Sequence, residues 1–283
     1  MLNNKKILSV ILARENSKGL PGKNIKPLNG KPLLAWPIIA SDGSKYIDTT
    51  ILSTDSNNYA DIGKTYGASV PFIRPDSLAS DTSLSSEAVV HAIEFLQKNN
   101  DIYDYVVLLE PTSPLTQSSD IDLALENLLG NKNQYTSLVS MSEVMTSHPS
   151  YCCAVEDDMR IKPYQTKIES LRRQDIQKLF HCDGSLYISR VNDFLISRTF
   201  YHENTMAHIM PKWKALEVDD NLDDIEKIPE LISLWMTDKS QFRNNPDNYF
   251  LKLDTYELVG ESRNLSDEKK KGVLNTITEL CIN

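Results

Sequence analysis

At 283 residues the chain is long enough to bury a sizeable core and to hold one large domain, or one with a small inserted subdomain. Its 30 basic against 39 acidic residues leave a net charge of -9, which argues against a nonspecific nucleic-acid binder. No apolar run approaches the roughly 20 residues that cross a bilayer, and the opening MLNNKK lacks a signal-peptide core, so the expectation is a soluble, cytoplasmic protein without nucleic-acid or membrane partners.

The first element is the apolar, branched run Ile7 to Ala13, which suits a strand covered on both faces in a parallel sheet. It ends abruptly at Arg14 and opens into LARENSKGLPGKN, Leu12 to Asn24. A loop leaving the C-terminal end of such a strand is where open α/β sheets bind ligands. Here Arg14, Lys18 and Lys23 supply positive charge, Gly19 and Gly22 allow a tight turn and close approach, and Pro21 stiffens it. Such a loop can cradle a triphosphate. The spacing is neither GxxxxGK[ST] nor GxGxxG, so it is neither a P-loop nor a dinucleotide fingerprint.

Further along, Leu33 to Ser41 and Asn57 to Tyr66 can be helical, with an apolar strand at Thr49 to Ser53 between them. Ser86 to Gln97 places Val89, Val90, Ile93 and Leu96 at helical spacing, and Tyr105 to Leu109 reads as the next strand. Ser119, with Asp122 three residues on, suggests the capped start of a helix through Leu129 that ends at Gly130. The alternation is βαβα, hence a mainly parallel, Rossmann-like sheet flanked by helices. From about Met141 to Phe180 the pattern breaks into short mixed pieces and resumes at Ser185 to Ser189. Asp223 to Met236 reads as a helix interrupted at Pro229, and the charged tail contains an amphipathic stretch, Val273 to Leu280. Cys152, Cys153, Cys182 and Cys281 show neither a CxxC spacing nor matching histidines, so zinc and a disulfide framework are not indicated.

The segment LARENSKGLPGKN, continuing as IKPLNGKPLLAW, closely resembles the N-terminal signature of the acylneuraminate cytidylyltransferases, the CMP-nonulosonic acid synthetases. LSTDS (52–56), RPDSLASDT (74–82), LLEPTSPL (108–115), RRQ (172–174), DGSLYIS (183–189) and EVDDNLDD (217–224) agree in order, so the likeness spans roughly residues 5 to 235. It implies a nucleotidyltransferase domain over 1–238, with a small dimerisation subdomain inserted at about 141–180, and a C-terminal extension over 239–283. It also implies a homodimer, the substrates CTP and a nonulosonic acid, and the cofactor Mg2+.

Carried over by position, the resemblance makes Arg14, Lys23 and Asp219 catalytic. It assigns the nucleotide to Leu12, Ala13, Arg14, Asn16, Ser17, Lys18, Lys23, Arg74, Ser83 and Ser85. Ser83 reads equally well as a helix N-cap. Glu217 and Asp219 match the family's metal segment, and carboxylate oxygens suit a hard cation. Alternate residues of an extended chain point the same way, so both could reach one ion. The acceptor sugar falls to Glu110, Arg173, Gly184, Tyr187, Phe200 and Tyr201, with Arg173 reaching the partner's site.

Several positions depart from the family pattern. Glu110 stands for the usual Gln, Glu217 for the usual Asp, and His181 to Gly184 for the common RPNG. Added negative charge beside an anionic sugar is unfavourable unless the sugar brings extra donors. That weakens the case for plain N-acetylneuraminate and makes a differently decorated nonulosonate, such as a legionaminic-type diamino sugar, a serious candidate. Two alternatives stay open, a Kdo-type cytidylyltransferase and an inactive nucleotide- or sugar-binding relative, although the first typically carries a STRLPGKPL-like loop instead.

Overall fold

The computed structural model describes residues 2–16, 20–144, 148–164 and 175–218. Strand β1 (Ile7–Leu12) is followed by a short hairpin, β2 (Pro27–Leu28) with β3 (Lys31–Pro32), then α1 (Ala35–Asp42), β4 (Thr49–Ser53) and α2 (Asn57–Thr65). The chain continues through α3 (Ser85–Lys98), β5 (Tyr105–Leu109), α4 (Ser118–Gly130) and β6 (Ser137–Glu143). Next come a second hairpin, β7 (Cys153–Val155) with β8 (Ile161–Pro163), the long β9 (Phe180–Arg190), α5 (Val191–Ser197) and β10 (Thr205–Ile209).

Six strands form one sheet in the order β10-β6-β9-β5-β1-β4. β1 pairs parallel with β4 and β5, and β10 with β6, while β9 runs antiparallel between β5 and β6. The sheet is therefore mixed and mostly parallel, as the βαβα alternation leads one to expect for all but β9. Every residue of β1 is buried, because helices cover both faces. Ile7 and Ile11 join α1 and α4 residues in one apolar cluster, and Leu8 and Val10 join α3 and α5 residues in another. Each fully buried side chain of this kind contributes on the order of 1.5–3 kcal/mol. The loops that follow β1, β4 and β5 thus leave a rigid platform along one edge.

The start of α4 differs from the expected cap. Gln117 is the N-cap, and Asp120 reaches back to its N–H at 2.9 Å. Asp122 instead accepts from Ser44 Oγ at 2.6 Å and Lys45 N at 3.0 Å, tying α4 to the turn after α1. A local S-x-x-D spacing carries no information about that distant pair of donors. Gly130 closes the helix from inside, with Asn131 as its C-cap.

Within the region expected to break the pattern, β6 is a regular core strand to Glu143 and β9 begins at Phe180. Between them β7 and β8 make a separate two-stranded ribbon whose residues are all exposed. The two helical stretches expected beyond residue 222 lie outside the described residues. Among the described residues no helix is long and apolar enough to cross a membrane.

Candidate active site

A cavity of about 650 Å³ opens at the C-terminal ends of β1 and β5. The backbone fixes its first wall. Ala13 N–H donates to Ser53 O at 3.1 Å, which keeps the exit of β1 against β4. Gly22 then adopts φ 66°, a left-handed conformation that costs a residue with a Cβ roughly 1–2 kcal/mol. This turn starts the single helical turn Lys23–Ile25, and Asn24 Nδ2 donates to Arg14 O at 3.0 Å. The buried Asn24 thereby clamps the two ends of the loop together. The sequence alone gives Asn24 no role, and an amide two residues after a turn glycine is the available signal.

Leu12, Arg14, Leu20 and Lys23 come to the cavity from this loop, and Arg74, Ser80, Asp81, Ser83 and Ser85 from the segment leading into α3. Glu110, Pro111 and Thr112 close it from the end of β5. Arg14, Lys23 and Arg74 are therefore gathered around one space. Arg14 Nη1 makes a 2.8 Å ion pair with Asp81. Arg74 is only 5% exposed, and its Nε and Nη2 have no hydrogen-bond partner among the described residues. Burial pulls its guanidinium below the usual arginine range, partly offset by Asp55 and Glu110 and reinforced by Arg14. A buried cation with unmet donors suits a polyanion.

Ser83 is not the N-cap of α3. Its hydroxyl donates to Ser77 O at 2.9 Å and shares a 2.7 Å bond with Ser80 Oγ, stiffening the loop, while Leu84 holds the cap position. Ser85 is the first residue of the helix. Ala13 is fully buried in the core, so only its backbone faces the site edge. Asn16 is exposed and is not part of the cavity wall. Ser17, Lys18, Arg173 and Asp219 lie outside the described residues.

The expected acceptor residues gather beside β5. Glu110 and Glu217 both press electrostatically on Tyr187, whose phenol is pushed far up, first by burial and then by Tyr201. Tyr201 is pushed up to about 12, chiefly by burial and then by the neighbouring Cys182 thiol. Both phenols are therefore neutral near pH 7 and offer hydrogen bonds without adding charge. Tyr187 and Tyr201 meet edge to face at 6.2 Å between ring centroids. Phe200 is 6% exposed and stacks on Phe194 at 4.5 Å, so it backs the wall from the core.

Asp183 faces away from this wall, although its carboxylate is the last of the influences that raise the Tyr201 phenol. It is 2% exposed and turned inward, accepting from Ser140 Oγ, Ser142 Oγ and Ser185 N. Gly184 has φ 71°, and a Cβ there would run into the Glu217 carboxylate. The segment carrying Glu217 is anchored at both ends. Lys214 Nζ pairs with Asp120 at 2.5 Å, and Val218 N–H donates to Thr112 O at 2.8 Å. Burial lowers the Lys214 pKa while the Asp120 carboxylate raises it, and the net direction is down. Glu217 supplies only oxygen donors, which fits a hard divalent cation. Among the described residues no cluster of three or more His, Cys, Asp or Glu side chains forms a complete metal site.

The family model described as cytidylyltransferase matches residues 8–237. The chain belongs to the cytidylyltransferase family. Among curated relatives, this cytidylyltransferase is 35% identical over 232 residues to the CMP-N,N'-diacetyllegionaminic acid synthase of Legionella pneumophila, covering 80% of this chain and 97% of that one. It is 29% identical to a pseudaminic acid cytidylyltransferase of Campylobacter jejuni, covering 78% and 94% respectively. Among solved structures, a CMP:2-keto-3-deoxy-manno-octonic acid synthetase complexed with CTP superposes with a TM-score of 0.59 at 16% identity, over 81% of this chain and 98% of that one. At that identity the likeness concerns the fold alone. The family match over residues 8–237 spans both the cationic loop and β9 of this cytidylyltransferase.

Proposed function

We propose that this cytidylyltransferase transfers CMP from CTP to the anomeric hydroxyl of a nonulosonic acid and releases pyrophosphate. The observation that carries the reading is the convergence of Arg14, Lys23 and Arg74 on one cavity whose far wall is built from β5. In this reaction the anomeric hydroxyl gives its proton to solvent as its oxygen bonds to the α-phosphorus of CTP, the bond to the β-phosphate bridge breaks with pyrophosphate leaving, and negative charge grows on the phosphoryl oxygens. Positioning and charge neutralisation dominate such a step. Arg14 and Lys23 would hold the triphosphate in line, Arg74 would satisfy its unmet donors on the nucleotide, and Ser83 and Ser85 would order the cavity rim. Glu217 and Asp219 would hold Mg2+, which screens the triphosphate and polarises the α-phosphate.

For the acceptor we favour a diacetamido sugar of the legionaminic type. Glu110 in the cavity wall is an acceptor-only group, so it selects for N–H and O–H donors. Pyrophosphate release with CTP is expected to be fastest with N,N'-diacetyllegionaminate and about tenfold slower with N-acetylneuraminate, in which a hydroxyl replaces the second acetamido N–H and presents its donor at a different reach, a hydrogen bond to a charged group being worth about 1.5–3 kcal/mol. Equal rates with both would remove the role given to Glu110, and no release with any nonulosonate would remove the reaction itself.

The protein is further proposed to act as a homodimer through the β7–β8 ribbon. Val155, Met159, Ile161 and Tyr164 are 62%, 79%, 70% and 75% exposed, an apolar set at odds with a solvated hairpin. Ile161→Glu is expected to shift the species seen by light scattering from dimer to monomer. An unchanged mass for that variant, or a monomeric wild type, would end this assignment.

A further inference from the structure

The ladder between β6 and β9 contains an irregularity of unusual size. Val139 pairs with Tyr187, but Met141 pairs with Cys182. One β6 residue, Ser140, thus faces the four β9 residues from Asp183 to Leu186. Such a stretch leaves ladder groups to be satisfied by other means, and Asp183 supplies the means. Its carboxylate accepts from Ser140 Oγ at 2.5 Å and Ser142 Oγ at 2.8 Å across the gap, and from Ser185 N–H at 3.1 Å two residues along its own strand. Ser140 Oγ in turn accepts from Leu186 N–H at 2.9 Å. The charge is buried, but it is surrounded by donors.

The residue enclosed by these bonds is Gly184, at φ 71° and buried. Its bare Cα leaves the space into which the Glu217 carboxylate projects, because a Cβ at Gly184 would collide with that carboxylate. Ser185 Oγ also lies 3.5 Å from Lys214 O, so the same kink touches the segment leading to Glu217. We propose that Asp183 is a positioning residue whose hydrogen bonds to Ser140, Ser142 and Ser185 hold the Gly184 kink on which Glu217 is seated. The proposal rests on the reading of Glu217 as a metal-holding carboxylate.

An asparagine at this position keeps one acceptor oxygen for Ser140 and Ser185 but loses the charge and turns an N–H2 group toward Ser142, so weaker neutral bonds replace charge-assisted ones and the kink relaxes. Supporting groups behind metal-holding side chains typically account for roughly ten- to a hundredfold in metal affinity. Mn2+ binding to the protein with CTP, in the absence of acceptor, can be followed by water-proton relaxation enhancement, which separates protein-held Mn2+ from Mn2+ held by CTP alone. Asp183→Asn is expected to weaken this binding by roughly tenfold, with CTP affinity in EDTA unchanged. Glu217→Gln is expected to weaken it by a comparable factor, and the double variant no further than Glu217→Gln alone.

If the two losses multiply, Asp183 acts independently of Glu217 and the proposal is wrong. If Asp183→Asn binds Mn2+ as wild type does while Glu217→Gln does not, the proposal is again wrong and the metal reading survives. If Glu217→Gln leaves Mn2+ binding intact, the metal reading falls and takes the proposal with it. Should Asp183→Asn fail to fold, Ser142→Ala removes one donor and keeps the carboxylate. A smaller loss in the same direction, absent on the Glu217→Gln background, then supports the seat, and wild-type Mn2+ binding overturns it.

Discussion

Replacing Arg74 by methionine is expected to weaken CTP binding by at least about a hundredfold while raising the melting temperature of the nucleotide-free protein by about 2–6 °C. The two effects have one origin. The residue is 5% exposed, the Nε and Nη2 of its guanidinium are unpaired among the described residues, and burial is the leading influence on its pKa. Asp55 and Glu110 attract it, but the net direction is still downward, so desolvation outweighs them. Each buried donor left without a partner costs about 1–3 kcal/mol, and methionine keeps much of the apolar stem without that cost. A phosphate or cytosine acceptor would convert the same unmet donors into charge-assisted bonds. Differential scanning calorimetry and CTP titration test both halves. A lower melting temperature would show that the guanidinium is compensated where it lies, and unchanged CTP affinity would remove Arg74 from the nucleotide site.

Lys23→Met is expected to reduce kcat/KM for CTP by about 10²–10³-fold, the range seen when one preorganised electrostatic donor is removed from a transition state. The lysine is held rather than loosely presented. Its backbone N–H donates to Leu20 O at 3.0 Å, Gly22 before it is locked in the left-handed region, and Asn24 after it is bonded to Arg14 O. The backbone from which the ammonium reaches is therefore fixed, and only the side-chain stem has to order as charge develops. Lys26→Met is the control, because Lys26 follows the same turn and is not part of the cavity wall. It should stay within about twofold, far inside the factor of ten that 1.4 kcal/mol represents. Steady-state pyrophosphate release would decide the matter, and a Lys23→Met enzyme within a few fold of wild type would exclude the lysine from the phosphate cradle.

Much of the nucleotide side was legible in the sequence because it is local. The apolar run of β1, the cations after it and the glycine turn lie within one short stretch, and their physical meaning does not depend on distant residues. The three strands Ile7–Leu12, Thr49–Ser53 and Tyr105–Leu109 and the helices between them could be read for the same reason, since one face or both faces of each are buried. The acceptor side was less legible because its residues acquire roles through pairing. Asp183 looks like a charge added to a pocket, and only the register slip against β6 shows that Ser140 and Ser142 turn it into an interior strut. Asp122 likewise has the spacing of a cap but finds its donors 77 and 78 residues away in Lys45 and Ser44. The antiparallel course of β9 could not be inferred from its apolar pattern, which is the same for either direction.

The ion pair between Arg14 and Asp81 bears on how the site tells its ligand from other anions. Arg14 already has a carboxylate as its neighbour, so an arriving anion exchanges with one that is covalently part of the protein and always at hand. A single phosphate or carboxylate from solution brings about as much charge as it displaces and pays the entropy of capture as well. A triphosphate meets Arg14, Lys23 and Arg74 together, and only such a ligand offers more than Asp81 does. Both side chains are about one-third exposed, so the pair is weak, and Asp81 tilts Arg14 toward ligands of higher charge without closing the cavity to small anions.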